Sequence, residues 1–459
     1  MDLVNKYVRT DFTSHEDFTE NFDINMPENF NFGYDVVDEL AEKTPDAKAM
    51  IWCNDHGEEH VFTFRDMKYY SDKTANYLRS LGIKKGDFVM LILKRHYQFW
   101  FCMVALHKIG AVTIPATHLL TKKDIVYRCN AADITTIIAT GDGDVPEHVD
   151  SAAPDCPTLQ NRIFVRAAES GDMPEGWLDF GSGMEAASAD FVRPEREEGT
   201  QISDMMLMYF TSGTTGQPKM VAHNFSYPLA HIITAKFWHN LTPGKLHFTV
   251  ADTGWGKAVW GKLYGQWLCE ATVFTYDYSA KFQPSDLLHK IEQYKIDSFC
   301  APPTIYRFFI KEDLTKFDLS SLKYCTIAGE PLNPEIYNQF LKATGIKLHE
   351  GFGQTETVLT IGTTPWMEPK PGSMGKPMPK LGIDIIHPDG ESCREGEEGE
   401  IVIRQQNDVP FGMFMGYYKD EERTKSVWHD GIYHTGDIAW KDEDGYLWFV
   451  GRTDDVIKC

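Results

Sequence analysis

The sequence predicts an α/β protein with mostly parallel sheets covered by helices, followed by a small β-barrel-like unit. Short apolar runs with strand character alternate with helical stretches along most of the chain, a pattern typical of parallel sheets with crossover helices. The 459 residues are too many for a single hydrophobic core and suggest about three domains. After residue 365, short alternating strands separated by turns replace this pattern, which favours a small barrel.

The first part of the chain begins with a predicted β-hairpin. Two strand-like runs, residues 49–53 and 60–64, flank the turn sequence Asn-Asp-His-Gly, and this arrangement is typical of paired antiparallel strands. The elements that follow predict strands alternating with helices: a helix at 66–81, a strand at 87–93, a helix ending at 109, and strands at 111–115, 134–140 and 162–166.

A polar connection at residues 167–203 separates the two halves of the predicted α/β region. The alternation resumes at Met205, with further strands predicted at 296–301 and 324–328. The strands predicted for the barrel-like unit include residues 399–404 and 445–450. We find no internal repeat and no low-complexity segment in the sequence.

Composition argues against several kinds of partner, metal site and compartment. The formal net charge of −22 argues against nucleic acid or an anionic membrane surface as the main partner. Nine scattered cysteines without a Cys-x-x-Cys pair indicate neither a disulfide framework nor a zinc site, and they favour a reducing compartment. The longest apolar run, residues 99–106, is too short to span a bilayer. With no leader pattern at the start, we expect a cytoplasmic protein.

The most informative segment is residues 209–219, YFTSGTTGQPK, which follows an apolar strand. Its glycines allow tight turns and close approach to a ligand. Its backbone N–H groups and hydroxyls can donate to phosphate oxygens, and Lys219 adds a mobile positive charge. The segment is not a Walker loop, because no Gly-Lys-Ser/Thr follows at the required spacing. The alternative is an ordinary polar turn.

Two further segments follow apolar strands. Ala328-Gly329-Glu330-Pro331 is, by itself, an ordinary strand-to-loop turn. Residues 350–357, EGFGQTET, combine glycine turns, an aromatic side chain that could stack on a base, and a hydroxyl beside a carboxylate. Thr355 and Glu356 are hard oxygen donors of the kind that Mg²⁺ prefers when it also holds substrate phosphates. The alternative is a solvated loop with a chance Thr-Glu pair.

The last two segments lie in the predicted barrel region and beyond it. Residues 433–437, YHTGD, place Asp437 after a tight turn, where its carboxylate could accept from both hydroxyls of a ribose; His434 is interpreted as structural. Residues 451–458, GRTDDVIK, follow the last predicted strand. Together, these segments supply a phosphate loop, a base-binding slot, a metal ligand and a ribose clamp, which a bound ATP requires.

In this order and spacing, the segments resemble those of the adenylate-forming superfamily of acyl-CoA synthetases, luciferases and peptide-synthetase adenylation domains; the closest resemblance is to medium-chain acyl-CoA synthetases. The resemblance covers residues 209–458 with diagnostic motifs. It implies the large N-terminal domain of such an enzyme, with two sheet-and-helix subdomains and a small β-barrel subdomain. The implied ranges are 1–205 and 206–365 for the two α/β subdomains, 366–451 for the barrel, and 452–459 for the start of a hinge at Asp454.

The resemblance also implies roles for individual residues. Lys219, Thr355 and Glu356 would be catalytic, with Glu356 as the Mg²⁺ ligand. The residues that would contact the nucleotide are Thr211, Ser212, Gly213, Thr214, Thr215, Gly216, Gln217, Pro218, Lys219, Gly329, Glu330, Pro331, Glu350, Gly351, Phe352, Gly353, Gln354, Thr355, Asp437 and Arg452. Among them, the segment 211–219 would surround the β- and γ-phosphates, Phe352 would stack on adenine, and Asp437 and Arg452 would bind the ribose.

The implied reaction activates a carboxylic acid with ATP. A carboxylate oxygen attacks the α-phosphorus and expels pyrophosphate, leaving an acyl-adenylate, and the thiol of coenzyme A then takes the acyl group and releases AMP. Mg²⁺ and Lys219 would neutralise the charge of the two anions that must meet. The expected partners are thus small molecules: the acid, ATP and coenzyme A.

The residues implied for the acyl pocket are Trp255, Gly256, Ala328 and Gly353. Acetate-specific members of the superfamily have a tryptophan at the position matching Gly353, so glycine predicts a longer substrate: a medium-chain, branched or aromatic acid. The alternative is that Gly353 meets only a backbone requirement.

Two other functions stay open at this stage: an adenylating enzyme that loads a carrier protein, and a catalytically silent nucleotide-binding module. The chain ends within the hinge motif, before the C-terminal domain that carries a further lysine in this superfamily. A chain ending here is expected to bind ATP but to adenylate poorly, because one preorganised cation is worth about 3–4 kcal/mol at a transition state.

Overall fold

A computed structural model of the chain describes residues 2–211, 216–404 and 411–453. The helices are α1 His15–Asn21, α2 Glu39–Lys43, α3 Phe64–Ser80, α4 Gln98–Ile109, α5 Lys122–Ala132, α6 Val145–Ala152, α7 Phe180–Ala186, α8 Tyr227–Ile232, α9 Gly256–Lys262, α10 Tyr264–Leu268, α11 Pro284–Tyr294, α12 Pro303–Phe309, α13 Pro334–Thr344 and α14 Glu421–Val427.

The strands are β1 Lys48–Asn54, β2 Glu59–Thr63, β3 Phe88–Ile92, β4 Val112–Pro115, β5 Thr136–Thr140, β6 Asn161–Val165, β7 Leu178–Asp179, β8 Met205–Thr211, β9 Lys219–Asn224, β10 Leu246–Thr249, β11 Thr272–Asp277, β12 Ser298–Ala301, β13 Tyr324–Ile327, β14 Leu348–Phe352, β15 Ile361–Gly362, β16 Lys376–Pro377, β17 Ile383–Ile386, β18 Glu398–Arg404, β19 Trp428–His429, β20 Ile432–Lys441 and β21 Leu447–Arg452.

Two large sheets confirm the predicted α/β class. One has seven strands in the order β7-β6-β5-β3-β4-β8-β9, parallel throughout except for the β8–β9 hairpin. The other has nine strands in the order β16-β15-β14-β13-β12-β10-β11-β1-β2, with a parallel centre and antiparallel edges. The predicted hairpin at 49–64 is the antiparallel β1–β2 edge of this second sheet.

The strands expected to form a barrel-like unit form a five-stranded antiparallel sheet, with the path β17-β18-β20-β19 and β21 paired to β20. A small apolar cluster, which includes Ile385, Ile401, Ala439 and Leu447, covers one face of it. This sheet carries Asp437 on β20 opposite Arg452 on β21. The motif-bearing strands thus occur in all three sheets.

The sheets do not follow the proposed subdomain limits strictly. β1 and β2 lie before residue 205 but belong to the nine-stranded sheet, in which β1 pairs with β11 and β2 pairs with β1. β9 lies after residue 205 but belongs to the seven-stranded sheet. The chain therefore crosses between the two α/β layers more than once, and the three ranges remain a proposal about domain organisation.

The longest apolar run of the sequence lies in helix α4, which is buried on every side from Phe99 to Ile109. A helix that is apolar all round belongs in a protein core or in a membrane, and this one packs against α3. Over the described residues, no helix is both long enough and apolar enough to cross a bilayer. α3 begins with a capping box, in which Thr63 and Asp66 satisfy each other's backbone N–H groups.

A buried ion cluster around His96 joins the two large sheets. His96 follows β3 of the seven-stranded sheet, and its Nδ1 atom lies 2.5 Å from Asp277 at the end of β11 in the nine-stranded sheet. Its Nε2 atom lies 3.2 Å from the carboxylate of Asp142, just after β5. Burial by itself would lower the pKa of His96, but its hydrogen bonds to Asp142 and Asp277 raise the pKa to about 9. The imidazolium therefore joins two carboxylates from different sheets.

Replacing this cation tests its contribution to stability. We expect His96→Gln to lower the free energy of unfolding by about 1.5–3 kcal/mol, because the carboxylates lose their charged hydrogen-bond partner while Lys94, 3.1 Å from Asp142, and Arg95, 3.7 Å from Asp277, remain beside them. The matched control is His56→Gln: His56 lies 3.4 Å from Glu169 but is 42% exposed, so a change within about 0.5 kcal/mol is expected. Chemical denaturation at pH 7 measures both.

The pH dependence of the stability difference between the parent protein and His96→Gln provides a second test. Because the folded pKa of His96 is raised from 6.5 to about 9, its stabilisation is fully present below pH 6.5 and is lost as the pH rises through 9. The stability difference between the parent protein and His96→Gln should therefore shrink as the pH rises from 6.5 to 9 and stay small above pH 9. A difference that stayed constant from pH 6 to pH 10 would contradict a charged His96.

Candidate functional site

The predicted phosphate loop closes the β8–β9 hairpin. Thr211 ends β8, Lys219 begins β9, and the two residues are paired across the hairpin. Gly216 has φ +91°, a left-handed conformation that favours glycine. Gln217 and Pro218 follow it directly. Ser212, Gly213, Thr214 and Thr215 lie outside the described residues, as does Asp454.

Lys219 and Glu356 meet through a tyrosine that sequence reasoning missed. The Tyr417 hydroxyl donates to Glu356 Oε1 over 2.9 Å, and Lys219 Nζ lies 3.5 Å from the same hydroxyl oxygen. Burial, together with the nearby Glu356 carboxylate, holds the pKa of Tyr417 well above its usual value, so the hydroxyl keeps its proton. The structure therefore brings the two predicted catalytic groups to one place.

The loop that carries Thr355 and Glu356 is also bound to the third sheet. Gln354 Nε2 donates to the Asp437 carboxylate over 2.6 Å and to the Thr435 carbonyl over 2.8 Å. The Tyr433 hydroxyl donates to Gln354 Oε1 over 2.8 Å. Gln354 thus joins the Thr-Glu motif to the strand of the predicted ribose clamp.

The two residues predicted for the ribose lie side by side. Asp437 on β20 and Arg452 on β21 are register partners, and Arg452 Nη1 lies 3.7 Å from Asp437 Oδ1. Asp437 is buried, whereas the Arg452 side chain is 43% exposed. A carboxylate held in this way can accept from vicinal hydroxyls while the guanidinium stays accessible to an anionic group.

Glu350, in the middle of β14, has an unusual environment. It is buried and accepts from the Gly372 N–H over 2.8 Å. Burial raises its pKa to about 8, against the lowering effect of the hydrogen bond from Gly372. At neutral pH this carboxyl is therefore largely protonated and can act as donor as well as acceptor, a property that suits contact with a base.

These segments surround one cavity of about 490 Å³. The residues that line it are Trp255, Gly256, Lys257, Trp260, Ala328, Gly329, Glu330, Pro331, Glu350, Gly351, Phe352, Gly353, Gln354, Thr355, Gly372, Met374, Asp437, Phe449 and Arg452. They include every residue predicted for the base, the ribose and the acyl group. Lys219 and Glu356 do not line the cavity. Glu356 directly follows the lining residue Thr355, and the Tyr417 hydroxyl contacts both Glu356 and Lys219.

Beside Gly353, the predicted acyl pocket is bounded by Trp260. Glycine at 353 was expected to leave open space, but a Cβ added there would lie 2.4 Å from Cη2 of Trp260 and 2.5 Å from the Val358 carbonyl oxygen. The Trp260 indole already fills the space beside Gly353, and its Nε1 donates to the Tyr227 hydroxyl over 3.1 Å. The glycine therefore meets a requirement for close packing, and Trp260 bounds the pocket.

Lys257 is a second wall residue that sequence reasoning missed. Its Nζ atom donates to the Ala328 carbonyl over 2.7 Å, and burial lowers its pKa. Trp255, by contrast, is 63% exposed at the mouth of the cavity. The spacing of Gly256 and Trp260 at i and i+4 on α9 was the available signal, because these positions share one helix face.

The residues present fit a magnesium ion that is bound mainly by substrate. In the described part of the chain, no group of three or more His, Cys, Asp or Glu side chains could hold a metal by itself. Mg²⁺ usually takes one or two carboxylates, with phosphate and water oxygens completing its octahedron. Glu356 is a buried carboxylate next to Thr355, so its chemistry fits such a ligand.

Comparisons with known proteins agree with this geometry. A family model described as AMP-binding enzyme matches residues 37–418. The chain is 38% identical over 453 residues to the mitochondrial acyl-coenzyme A synthetase ACSM3 of Homo sapiens, covering 97% of this chain and 75% of that protein. It is 39% identical over 441 residues to the mitochondrial acyl-coenzyme A synthetase ACSM5 of Rattus norvegicus, covering 94% and 74%.

Two solved structures share the fold. The anthranilate CoA ligase AuaEII, crystallised with anthranoyl-AMP, superimposes with a TM-score of 0.84 at 24% identity, covering 94% of this chain and 80% of that one. An acyl-CoA synthetase of Brucella canis superimposes with a TM-score of 0.83 at 24% identity, covering 96% and 80%. The family match over most of the chain and the identity to these relatives lead to one conclusion. The chain belongs to the AMP-binding enzyme family.

Proposed function

We propose that this protein uses ATP to convert a carboxylic acid into an acyl-adenylate and then transfers the acyl group to coenzyme A, releasing AMP and pyrophosphate. The observation that carries the proposal is the single cavity shared by the predicted base, ribose and acyl segments. Its lining includes both the polar pair Asp437 and Arg452 and the indole rings of Trp255 and Trp260. The cavity therefore offers polar groups for a nucleotide and apolar surface for an organic acid.

The proposed mechanism depends on bringing two anions together. Adenine would lie against residues 329–331 and 350–352, with its ribose hydroxyls accepted by Asp437. The acid carboxylate is already ionised, so its attack on the α-phosphorus needs no general base. Lys219 would place its charge on the phosphates, Thr355 would contact the α-phosphate, and Glu356 would hold Mg²⁺, which neutralises phosphate charge when bound.

We further propose that the acid is medium-chain, branched or aromatic. The support comes from the curated relatives, which are named acyl-coenzyme A synthetases, and from a crystallised neighbour, which is named as a ligase of an aromatic acid. Loading of a carrier protein remains the alternative for the second step. Location in the cytoplasm also remains a prediction.

The test of function is ATP–pyrophosphate exchange with a panel of acetate, butyrate, octanoate, 2-methylbutyrate and benzoate. We expect exchange above the acid-free background, with acetate the weakest, and product formation with coenzyme A but not with a phosphopantetheinylated carrier. Glu356→Gln should lower exchange about a hundredfold or more, while Glu42→Gln, at an exposed position on α2, should not. ATP binding without exchange for any acid, in a protein that also carries the C-terminal domain implied by the resemblance, would favour the silent module.

The role of Trp260 gives a second prediction. Trp260→Ala removes the indole beside Gly353, so the specificity ratio of an eight-carbon over a six-carbon acid should rise about tenfold, since two more buried methylenes contribute about 1.6 kcal/mol. Competition assays on hexanoate and octanoate measure this ratio. Trp440→Leu, at a half-buried position on β20, is the control; an unchanged ratio for Trp260→Ala would place the acyl chain elsewhere.

The role of Tyr417 gives a third prediction. Tyr417→Phe deletes the hydroxyl that joins Lys219 and Glu356, and a hydrogen bond to a charged group contributes about 1.5–3 kcal/mol. We therefore expect the rate of pyrophosphate exchange to fall between about tenfold and a hundredfold. The neighbouring Tyr418, whose ring packs on Phe88, supplies the control Tyr418→Phe, and equal effects of the two substitutions would count against a specific role of Tyr417.

A further inference from the structure

His223 lies on the strand that begins with Lys219, and it reaches the loop that carries Thr355 and Glu356. Its Nε2 atom is 2.7 Å from the Thr355 carbonyl oxygen. A carbonyl oxygen only accepts, so Nε2 must carry the hydrogen. Within the described parts of the chain, the other ring nitrogen, Nδ1, is buried and has no hydrogen-bond partner. One tautomer of His223 therefore satisfies these surroundings: the neutral ring protonated at Nε2.

The surroundings of His223 hold the ring in that state. The side chain is fully buried, and this burial lowers its pKa to about 4, against the raising effect of the bond to Thr355. The Tyr227 ring stacks on the imidazole, with 3.8 Å between the ring centroids. The ring is thus packed as well as hydrogen-bonded, so its Nε2–H has a defined direction.

The hydrogen bond from His223 is one of three sets of contacts that hold the Thr-Glu loop, residues 354–356. Gln354 is bound to Asp437 on the barrel-region sheet. Glu356 accepts from Tyr417 at its carboxylate and from the Phe414 N–H at its backbone carbonyl over 2.8 Å. Thr355, between them, has its carbonyl held by His223 from the seven-stranded sheet. β9 therefore carries both Lys219 and His223, and His223 holds the backbone of the loop that contains Thr355 and Glu356.

We propose that His223 is a positioning residue for the adenylation step: its Nε2–H holds the Thr355 carbonyl and thereby sets the placement of the Thr355 and Glu356 side chains relative to Lys219. The imidazole does not touch the substrate or exchange a proton in this role. The inference rests on the proposed function, because the placement matters only if these side chains act on ATP. A displacement of about 1 Å in such a segment is enough to lower a rate about a hundredfold.

Two amide substitutions separate this role from simple packing. The side-chain NH₂ of His223→Gln reaches about as far from the backbone as Nε2 does, whereas that of His223→Asn reaches only the position of Nδ1. We expect His223→Gln to retain the pyrophosphate-exchange kcat within about threefold. His223→Asn should lose tenfold or more in kcat, while the KM values for ATP and for the acid change less than threefold.

A spectroscopic readout on the parent protein keeps the inference testable if a variant fails to fold. Nitrogen-15 NMR of histidine-labelled protein at pH 7 should show His223 as the neutral Nε2–H tautomer, with assignment by comparison with His223→Gln. A Nδ1–H tautomer, or a protonated ring at that pH, would overturn the proposal. Equal kcat values for the Gln and Asn variants in folded protein would overturn it as well.

These outcomes are distinct from a failure of the proposed function. If a parent protein that includes the C-terminal domain implied by the resemblance shows no exchange with any acid of the panel, the function is wrong and the kinetic comparison does not arise. If the parent exchanges and all His223 variants match it, the function stands and the positioning role is wrong. Melting temperatures of the two variants, expected within a few degrees of each other, show that the kcat difference does not come from unfolding.

Discussion

The hydroxyl of Tyr417 is the contact on which the arrangement of the site depends. It donates to Glu356 and lies within 3.5 Å of Lys219, so three segments far apart in the sequence meet at one oxygen atom. A buried carboxylate without partners is costly, and this one has a neutral donor and an ammonium group nearby. The hairpin of the phosphate loop and the Thr-Glu loop are thereby held at a fixed separation before any ligand enters.

That separation requires the two large sheets to keep their relative position. His96 provides a link between them, because its ring nitrogens contact carboxylates at the ends of strands from both sheets. Parallel strands present their carboxyl ends at one edge, where ligands of α/β proteins bind. The ion cluster lies at that edge of β5 and β11, while the candidate cavity is built from β13, β14 and the antiparallel sheet. Stability and ligand binding thus use different residues of the same junction.

The strands, the hairpin and the motif loops could be predicted from the sequence, because each depends on a local pattern of apolar residues and turns. Tyr417 and His223 could not, since their importance comes from partners more than thirty residues away, and for Trp260 the sequence offered only its helical spacing from Gly256. The longer acid inferred from Gly353 stays a prediction. Residue size at one position says nothing about a distant side chain that fills the space, and here Trp260 fills it.

The acyl end therefore has to be understood from its walls together. Trp260 is fixed by its hydrogen bond to Tyr227, and the close approach of Val358 to Gly353 leaves no room for a larger residue there. Lys257 places an amine in the same wall, where burial disfavours its charge and its described partner is a backbone carbonyl. If the acid binds here as proposed, a rigid indole and a largely desolvated amine would select it by shape. The choice of acid would then depend on residues of α9, which the diagnostic nucleotide motifs do not include.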